Sequence, residues 1–305
     1  MSHLLTILII LLGVAFLIVV ERKGLGMIQL RQGPNKVGVK GLLQPVADGV
    51  KLFTKEFVLP YSRFIRVYLV GPFLCFFLSY CAWVVFPSFY RVDRFDLSIL
   101  FILCVSSSHV FGVFLVGWSV DSRYSFLGSM RGVAQTISYE IVFTTVVLVP
   151  LIIIRSLRIF DFRVSDLNIF FICREVLLMW IIVRLAELNR APFDFVEGES
   201  ELVSGYTVEF GGAGFALIAL GEYGRIFFMR MLTGVIFVGV NGGIEISNIF
   251  LALWIVLFSY FFIGVRGRIP RYRYDLLINF CWTKLLPVSL GLLSFYFILR
   301  GLILG

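Results

Sequence analysis

The stretch HLLTILIILLGVAFLIVV occupies residues 3–20 and contains no Asp, Glu, Lys or Arg. A helix needs roughly 20 mostly apolar residues to cross the hydrocarbon core of a bilayer, and this run approaches that length. Charged residues follow at Glu21, Arg22 and Lys23 without a small-residue cleavage site. The segment therefore predicts a first transmembrane helix that is kept in the mature chain.

The rest of the chain has the same apolar character. Of its 305 residues, 59% are hydrophobic and 15% are charged, whereas a soluble domain is about 45–50% apolar and about 25% charged. In lipid, backbone polar groups must be paired within a helix or a closed barrel, and the alternation typical of strands is absent. The composition predicts an all-α, polytopic integral membrane protein.

Eight segments are long and apolar enough to cross a bilayer, and no independent soluble domain interrupts them. We expect one transmembrane domain over residues 1–305. The predicted spans are residues 2–20, 67–89, 97–117, 132–154, 168–187, 211–230, 248–265 and 278–300.

The connections differ in charge on the two sides of the membrane. Those after spans 1, 3, 5 and 7 carry 16 Lys and Arg residues, and the opposite side carries 7. The positive-inside rule places the basic side in the cytoplasm or in the mitochondrial matrix, so both termini are predicted on the opposite side. The first connection also predicts an amphipathic surface helix, because apolar residues between 42 and 53 recur at helical spacing opposite polar ones.

Several functional classes are disfavoured. Lys and Arg number 27 against 19 Asp and Glu, but the basic residues lie between apolar spans, which argues against nucleic-acid binding. The five cysteines form no CxxC pair, so no metal site is predicted. Nucleotide-binding loops and the HExxH and GxSxG motifs are absent, so we expect no catalytic residue in this chain alone.

Some charged residues fall inside predicted spans. Glu140 lies in span 4 and Glu222 in span 6, and a charge at the bilayer centre costs about 2.5–3.5 kcal/mol. Such residues either form a path for protons or ions, or make salt bridges that hold helices together. Arg184 and Glu187, like Glu222 and Arg225, have the i,i+3 spacing that permits pairing. We favour the proton path for Glu140 and Glu222.

The connection after span 5 is unusually acidic. It reads LAELNRAPFDFVEGESELVSGYTVEF from residue 185, on a side that is otherwise basic. Closely spaced carboxylates cannot all ionise at once, a property that suits a proton relay, although a solvated acidic loop is the alternative. Its acidic residues are Glu187, Asp194, Glu197, Glu199, Glu201 and Glu209. From these residues alone, two functions stay open: a transporter, and a membrane subunit of a redox-driven pump.

Four blocks resemble a known family. They are ERKGLGMIQLRQGPNKVGVKGLLQPVADGVKLFTKE from residue 21, GWSVDSRYSFLGSMRGVAQTISYE from residue 117, the acidic connection, and RIPRYRYDLLINFCWTKLLP from residue 268. The chain resembles subunit 1 of mitochondrial NADH–ubiquinone oxidoreductase, respiratory complex I. Membrane subunits of proton-pumping hydrogenases are related, and the acidic connection favours the quinone enzyme. The chain departs from the family's usual residues at Leu188, Phe210 and Gly221, none of them charged.

The resemblance implies a membrane subunit of an H⁺-translocating NADH:ubiquinone reductase in the mitochondrial inner membrane, with both termini on the intermembrane-space side. Ubiquinone would be the substrate of a shared site. NADH, FMN and iron–sulfur clusters would reside in partner subunits of the hydrophilic arm. Small and antiporter-like membrane subunits, and lipid, would be further partners.

The resemblance also implies roles for individual residues. The quinone chamber would be lined or braced by Arg22, Arg31, Asp48, Lys51, Glu56, Arg190 and Arg273. The proton path would be formed by Glu140, Glu187, Asp194, Glu197, Glu199, Glu201 and Glu222. A stand-alone ion or proton transporter is the alternative function, and it would predict internal inverted repeats, which the sequence does not show.

Overall fold

A computed structural model describes residues 2–56, 65–88, 95–120, 122–165, 169–195, 205–238 and 244–304. Within these ranges every regular element is a helix, so the all-α prediction is confirmed. The helices are α1 (Ser2–Ile28), α2 (Gln44–Thr54), α3 (Ile65–Cys81), α4 (Ser98–Trp118), α5 (Arg123–Ile154), α6 (Ile159–Val164), α7 (Ile169–Ile172), α8 (Arg174–Glu187), α9 (Gly212–Thr233), α10 (Ile244–Arg268), α11 (Tyr274–Phe280) and α12 (Leu286–Leu304). Short 3₁₀ turns occupy Val39–Gly41, Ala82–Val85 and Gly205–Thr207, and π turns occupy Gly234–Val238 and Cys281–Leu285.

Six helical segments in the described ranges are long and apolar enough to cross a membrane, which supports a multi-pass membrane protein. They correspond to six of the eight predicted spans. These segments are Leu5–Ile28, Ile65–Val85, Ser98–Trp118, Arg123–Ile154, Asn248–Arg268 and Tyr274–Leu302.

The other two predicted spans coincide with α8 and α9. Helix α8 has 14 residues because the chain breaks at Cys173, where the backbone leaves helical geometry. It is therefore about 21 Å long, less than the roughly 30 Å of a hydrocarbon core. Helix α9 has 22 residues but carries Glu222, Arg225 and Arg230. The count of eight crossings stays a prediction.

The predicted amphipathic helix in the first connection is present as α2. Pro45 stands in its first turn, a position where the missing backbone N–H is not needed. None of its residues is buried, and Val46, Val50 and Phe53 are exposed apolar residues. An apolar face of this kind suits the surface of a membrane, where we predict it lies.

The core is formed by α5, α8 and α9 with the helices around them. Tyr139 and Phe143 of α5, Trp180 of α8, and Phe228 of α9 are almost fully buried in one continuous apolar cluster. Trp180 Nε1 donates a hydrogen bond to Thr233 Oγ1 at 3.0 Å, which satisfies the only polar atom of the indole. The helix bundle thus has a packed apolar interior, and the buried charged side chains described below lie within it.

Glycines allow several helices to approach closely. A β-carbon on Gly117 of α4 would lie 2.2 Å from Ser129 Cβ of α5, and one on Gly221 of α9 would lie 3.1 Å from the Cys75 carbonyl oxygen of α3. Small residues at such contacts let helix backbones pack in lipid, where apolar burial adds little to association.

We expect Gly117→Ala to destabilise the bundle by about 1–3 kcal/mol, because α4 and α5 must separate to admit the methyl group. Gly264→Ala is the matched control, since a β-carbon there meets nothing within 4 Å. Thermal unfolding of the detergent-purified assembly measures both. Equal melting temperatures for the two variants would contradict the close contact.

Candidate functional site

Glu21 joins three parts of the chain. It lies in α1 just after the first apolar run and is 5% exposed. Its Oε1 accepts hydrogen bonds from Arg190 Nη1 at 3.2 Å and from Arg266 Nη1. Arg190 lies in the turn after α8, and Arg266 lies in the last turn of α10. One buried carboxylate therefore ties α1 to both segments.

Arg190 stays positively charged in this setting. Its Cζ lies 4.5 Å from the centre of the Tyr223 ring, a cation–π contact with α9. Burial alone would lower the pKa of the Arg190 guanidinium, but Glu21 and Tyr223 together hold that pKa above its ordinary value. The group centred on Glu21 thus has two guanidinium cations for one carboxylate.

Glu187 is the centre of a second ion-pair group, at the end of α8. It is 2% exposed. Its Oε1 accepts from Arg225 Nη2 at 2.9 Å, and its Oε2 faces Arg184 Nη1 at 3.4 Å. The sequence-based expectation that Arg184 and Glu187 can pair is confirmed. Arg225 of α9 supplies the second cation, so a buried carboxylate joins α8 to α9.

Aromatic rings hold Arg184 in place. Its Cζ lies 3.9 Å from the centre of the Trp180 ring and 4.2 Å from that of Phe143. A guanidinium is weakly hydrated and stacks well on aromatic faces, which lowers the cost of its burial. The arginine is only 1% exposed.

His109 of α4 extends this group. Its Nδ1 lies 3.1 Å from Arg225 Nη1. A guanidinium has no acceptor, so Nδ1 must accept and the imidazole hydrogen must reside on Nε2. That Nε2 is buried and has no hydrogen-bond partner among the described residues. A cavity of about 20 Å³ beside His109 and Arg225 is large enough for one water molecule.

Glu140 and Glu222 each accept a hydrogen bond from a hydroxyl group. Ser107 Oγ of α4 donates to Glu140 Oε1 at 2.5 Å, and the Tyr206 hydroxyl donates to Glu222 Oε1. Glu140 makes no ion pair within the described part of the chain. A guanidinium only donates hydrogen bonds, whereas a hydroxyl both donates and accepts. A carboxylate bound to a hydroxyl can therefore gain a proton without losing its partner.

The first connection carries a polar surface site. Arg22 Nη1 lies 2.6 Å from Asp48 Oδ2, and Gln44 Nε2 donates to Asp48 Oδ1 at 2.8 Å. Arg22 and Arg31 line a cavity of about 850 Å³. The structure thus brings three of the proposed chamber residues into one region, between the end of α1 and α2.

The other proposed chamber residues are spread along the surface and the interior. Lys51 is exposed near the end of α2, and Glu56 is exposed just after that helix. Arg273 is exposed at the start of α11. Arg190 is the only one of the proposed chamber residues that joins the buried group at Glu21.

The acidic connection is described at residues 185–195 and 205–210. Asp194 is half-buried, and Glu197, Glu199 and Glu201 lie outside the described residues. Gln135 of α5 anchors the first part, because its Nε2 donates to the carbonyl oxygens of Ala186 at 2.8 Å and Phe193 at 3.0 Å.

Several residues of the site were not assigned a role from the sequence. They are Glu21 as a centre of ion pairs, Arg266, His109, Ser107 and Tyr206. Their partners are 33 to 245 residues away along the chain, Tyr206 with Glu222 excepted. A histidine in an apolar run and a carboxylate at a span's exit were the available signals. Neither signal indicates which residue the side chain contacts.

The described residues include no group of three or more His, Cys, Asp or Glu side chains placed to hold a metal ion. The five cysteines are free thiols, of which Cys75 and Cys81 lie in α3 and the other three lie in three other segments. Their donor set does not fit an iron–sulfur cluster, which needs several converging thiolates.

Comparison with known proteins gives a consistent result. Residues 1–297 match the family model described as NADH dehydrogenase. NADH-ubiquinone oxidoreductase chain 1 of Aedes aegypti is 45% identical over 297 residues, covering 97% of this chain and 94% of the relative. The Artemia franciscana protein of the same name is 45% identical over 295 residues, covering 96% of each chain. That of Cyprinus carpio is 42% identical over 300 residues, covering 95% of this chain and 93% of the relative.

Similarity of this extent spans every helix that positions the buried ion pairs. The chain therefore belongs to the NADH dehydrogenase family, alongside chain 1 of NADH-ubiquinone oxidoreductase.

Proposed function

We propose that this chain is the membrane subunit of respiratory complex I that forms the membrane part of the quinone chamber and the start of its proton path. The observation that carries the proposal is the set of buried ionisable groups joining α1, α4, α8, α9 and α10. Charge at this depth is costly and is kept where it serves an ion or proton path. Family membership supplies the reaction that such groups would serve.

The reaction takes two electrons and two protons into each ubiquinone, the substrate of the shared site. Electrons add negative charge in a partly dry environment, where Coulomb interactions are stronger than in water. The group at Glu21 carries two guanidinium cations for one carboxylate. The excess positive charge of this group would stabilise the negative charge that electrons add to the quinone beside it. Arg190, which lies in the acidic connection, is the cation we place nearest the reaction.

We assign two roles to the buried carboxylates. Glu222 and Glu140 are bound by hydroxyls and would exchange protons during turnover. Glu187, which the family resemblance places on the same path, is held between two guanidinium groups, and we propose that it acts there as a counter-ion that orders the bundle. Protons would reach Glu222 and Glu140 from the acidic connection. The residues that would deliver them are Asp194, Glu197, Glu199 and Glu201.

The chamber wall would be completed by the surface site of the first connection. Arg22 and Asp48 form an ion pair there, and Arg31 lines the same cavity. Lys51, Glu56 and Arg273 would contact the hydrophilic arm, since all three are exposed in this chain. The mitochondrial inner membrane is the proposed location, with both termini on the intermembrane-space side.

The proposal requires partner chains. NADH, FMN and iron–sulfur clusters would be held by subunits of the hydrophilic arm, because the described cysteines do not converge. Antiporter-like and small membrane subunits would receive the proton path at its far end. The described helices make up one transmembrane domain in this scheme.

Mild detergent extraction followed by native sizing tests the assignment. We expect the chain to migrate in a large particle that oxidises NADH with ubiquinone, and we expect the isolated chain to be inactive. A lone chain that moves protons or ions across reconstituted vesicles would contradict the proposal and favour a stand-alone transporter. An unrelated membrane protein of similar size, extracted in parallel, controls for detergent aggregation.

A further inference from the structure

A second cavity lies between the end of α5 and the end of α12. Its volume is about 620 Å³. Apolar side chains form most of its wall, and Phe297 is 66% exposed there. The lining residues are Leu148, Leu151, Ile152, Arg155, Ser156, Leu157, Phe297, Arg300 and Gly301. Two guanidinium groups and one hydroxyl thus line a mostly apolar cavity, and none of its lining residues is acidic.

Three other described arginines on the same predicted side of the membrane have partners within the protein. Arg158 Nη2 lies 2.6 Å from Asp96 Oδ1. Arg163 Nη1 donates to the Pro87 carbonyl oxygen at 2.6 Å, and Arg230 Nη1 donates to Ser259 Oγ at 3.1 Å. These partners are a carboxylate, a carbonyl and a hydroxyl. Each of these three guanidinium groups thus has at least one acceptor within the protein.

Arg155 and Arg300 differ from them. Neither makes an ion pair or a side-chain hydrogen bond with any residue in the described ranges, and the Nε of Arg300 is buried without a partner there. This side is also the one with few basic residues, so general positive-inside anchoring does not account for the pair. Two like charges beside hydrocarbon repel each other unless an anion lies between them.

The chemistry of the cavity selects the anion. Guanidinium groups bind phosphate with paired, charge-assisted hydrogen bonds. A free phosphate would leave the wall formed by Leu148, Leu151 and Phe297 uncovered, whereas acyl chains would cover it. We propose that this cavity binds an anionic phospholipid, with its phosphate between Arg155 and Arg300 and its acyl chains along the apolar wall of α5 and α12.

Photo-crosslinking in the intact complex tests this site. The purified assembly is reconstituted into phosphatidylcholine vesicles that contain a photoreactive phosphatidylglycerol, and labelled peptides are mapped by mass spectrometry. We expect labelling of the segments around Leu148–Leu157 and Phe297. Unlabelled phosphatidylglycerol should abolish it, while added phosphatidylcholine or inorganic phosphate should not.

Variants make the test specific. Arg155→Gln combined with Arg300→Gln is expected to reduce labelling about tenfold. Arg158→Gln, which removes a cation already paired with Asp96, is expected to leave labelling unchanged. If the doubly substituted complex does not assemble, the single variant Arg300→Gln and the competition experiments on the unaltered protein still test the site.

Three results would overturn the proposal. Equal competition by phosphatidylcholine would show a groove for any lipid. Displacement by inorganic phosphate would show a small-anion site. Absence of labelling in the unaltered complex would show that a neighbouring subunit covers the cavity.

Discussion

Glu187→Gln is expected to destabilise the protein more than any other single substitution considered, by about 3–5 kcal/mol. The change leaves the guanidinium groups of Arg184 and Arg225 facing each other without a compensating carboxylate. Arg184 is fully buried and Arg225 is only 11% exposed, and an unpaired charge in such surroundings is expensive. Thermal unfolding and the amount of assembled complex measure the loss.

A second substitution on the same group separates charge from packing. Arg225→Met leaves the Arg184–Glu187 pair neutral, so it should cost less than Glu187→Gln. The double variant Glu187→Gln with Arg225→Met should be more stable than Glu187→Gln alone, because one of the two uncompensated cations is gone. Strictly additive losses in the double variant would rule out the coupling described for Glu187.

The second large effect is expected on activity. Glu222→Gln should reduce quinone-linked NADH oxidation by about 10²-fold, the range usual for loss of a positioned proton-transfer group. Glutamine keeps the shape and can still accept from the Tyr206 hydroxyl, but it cannot take up a proton. Electron transfer from NADH to an artificial hydrophilic acceptor should be preserved, since that reaction does not need the membrane path.

Glu209→Gln is the matched control for this loss. Glu209 is another carboxylate close to Glu222 in the sequence, in the acidic connection just before α9, and it is exposed. Removing its charge should leave quinone-linked oxidation close to normal. Equal losses in the two variants would indicate a general charge effect of the connection and would contradict a specific role for Glu222.

The helices could be predicted from the sequence because each long apolar run by itself indicates a segment that lies in lipid, where the backbone must be helical. Residues 97–117 and 132–154 both fall on helices, and α2 appears where apolar residues recur at helical spacing. Helix α5 begins nine residues earlier than the predicted span, at Arg123, because polar residues outside the hydrocarbon core also adopt a helix. Hydropathy reports depth in the bilayer and does not mark helix ends.

The pairing of the charged residues could be predicted only within one helix. Arg184 and Glu187 are three residues apart, and that contact was expected. Glu21 with Arg266, and Glu187 with Arg225, depend on how helices far apart in sequence pack together. The roles of Glu140 and Glu222 depend in turn on Ser107 and Tyr206, whose hydroxyls have no sequence signature.

Infrared difference spectroscopy of the assembled enzyme tests most directly whether buried carboxyl groups of this chain exchange protons with quinone reduction. Spectra are recorded before and after reduction by NADH, with ubiquinone present, for the unaltered enzyme and for Glu140→Gln and Glu222→Gln. We predict a change in the C=O stretching band of protonated carboxyl groups that is diminished in each variant. A band that is identical in all three enzymes would contradict the account.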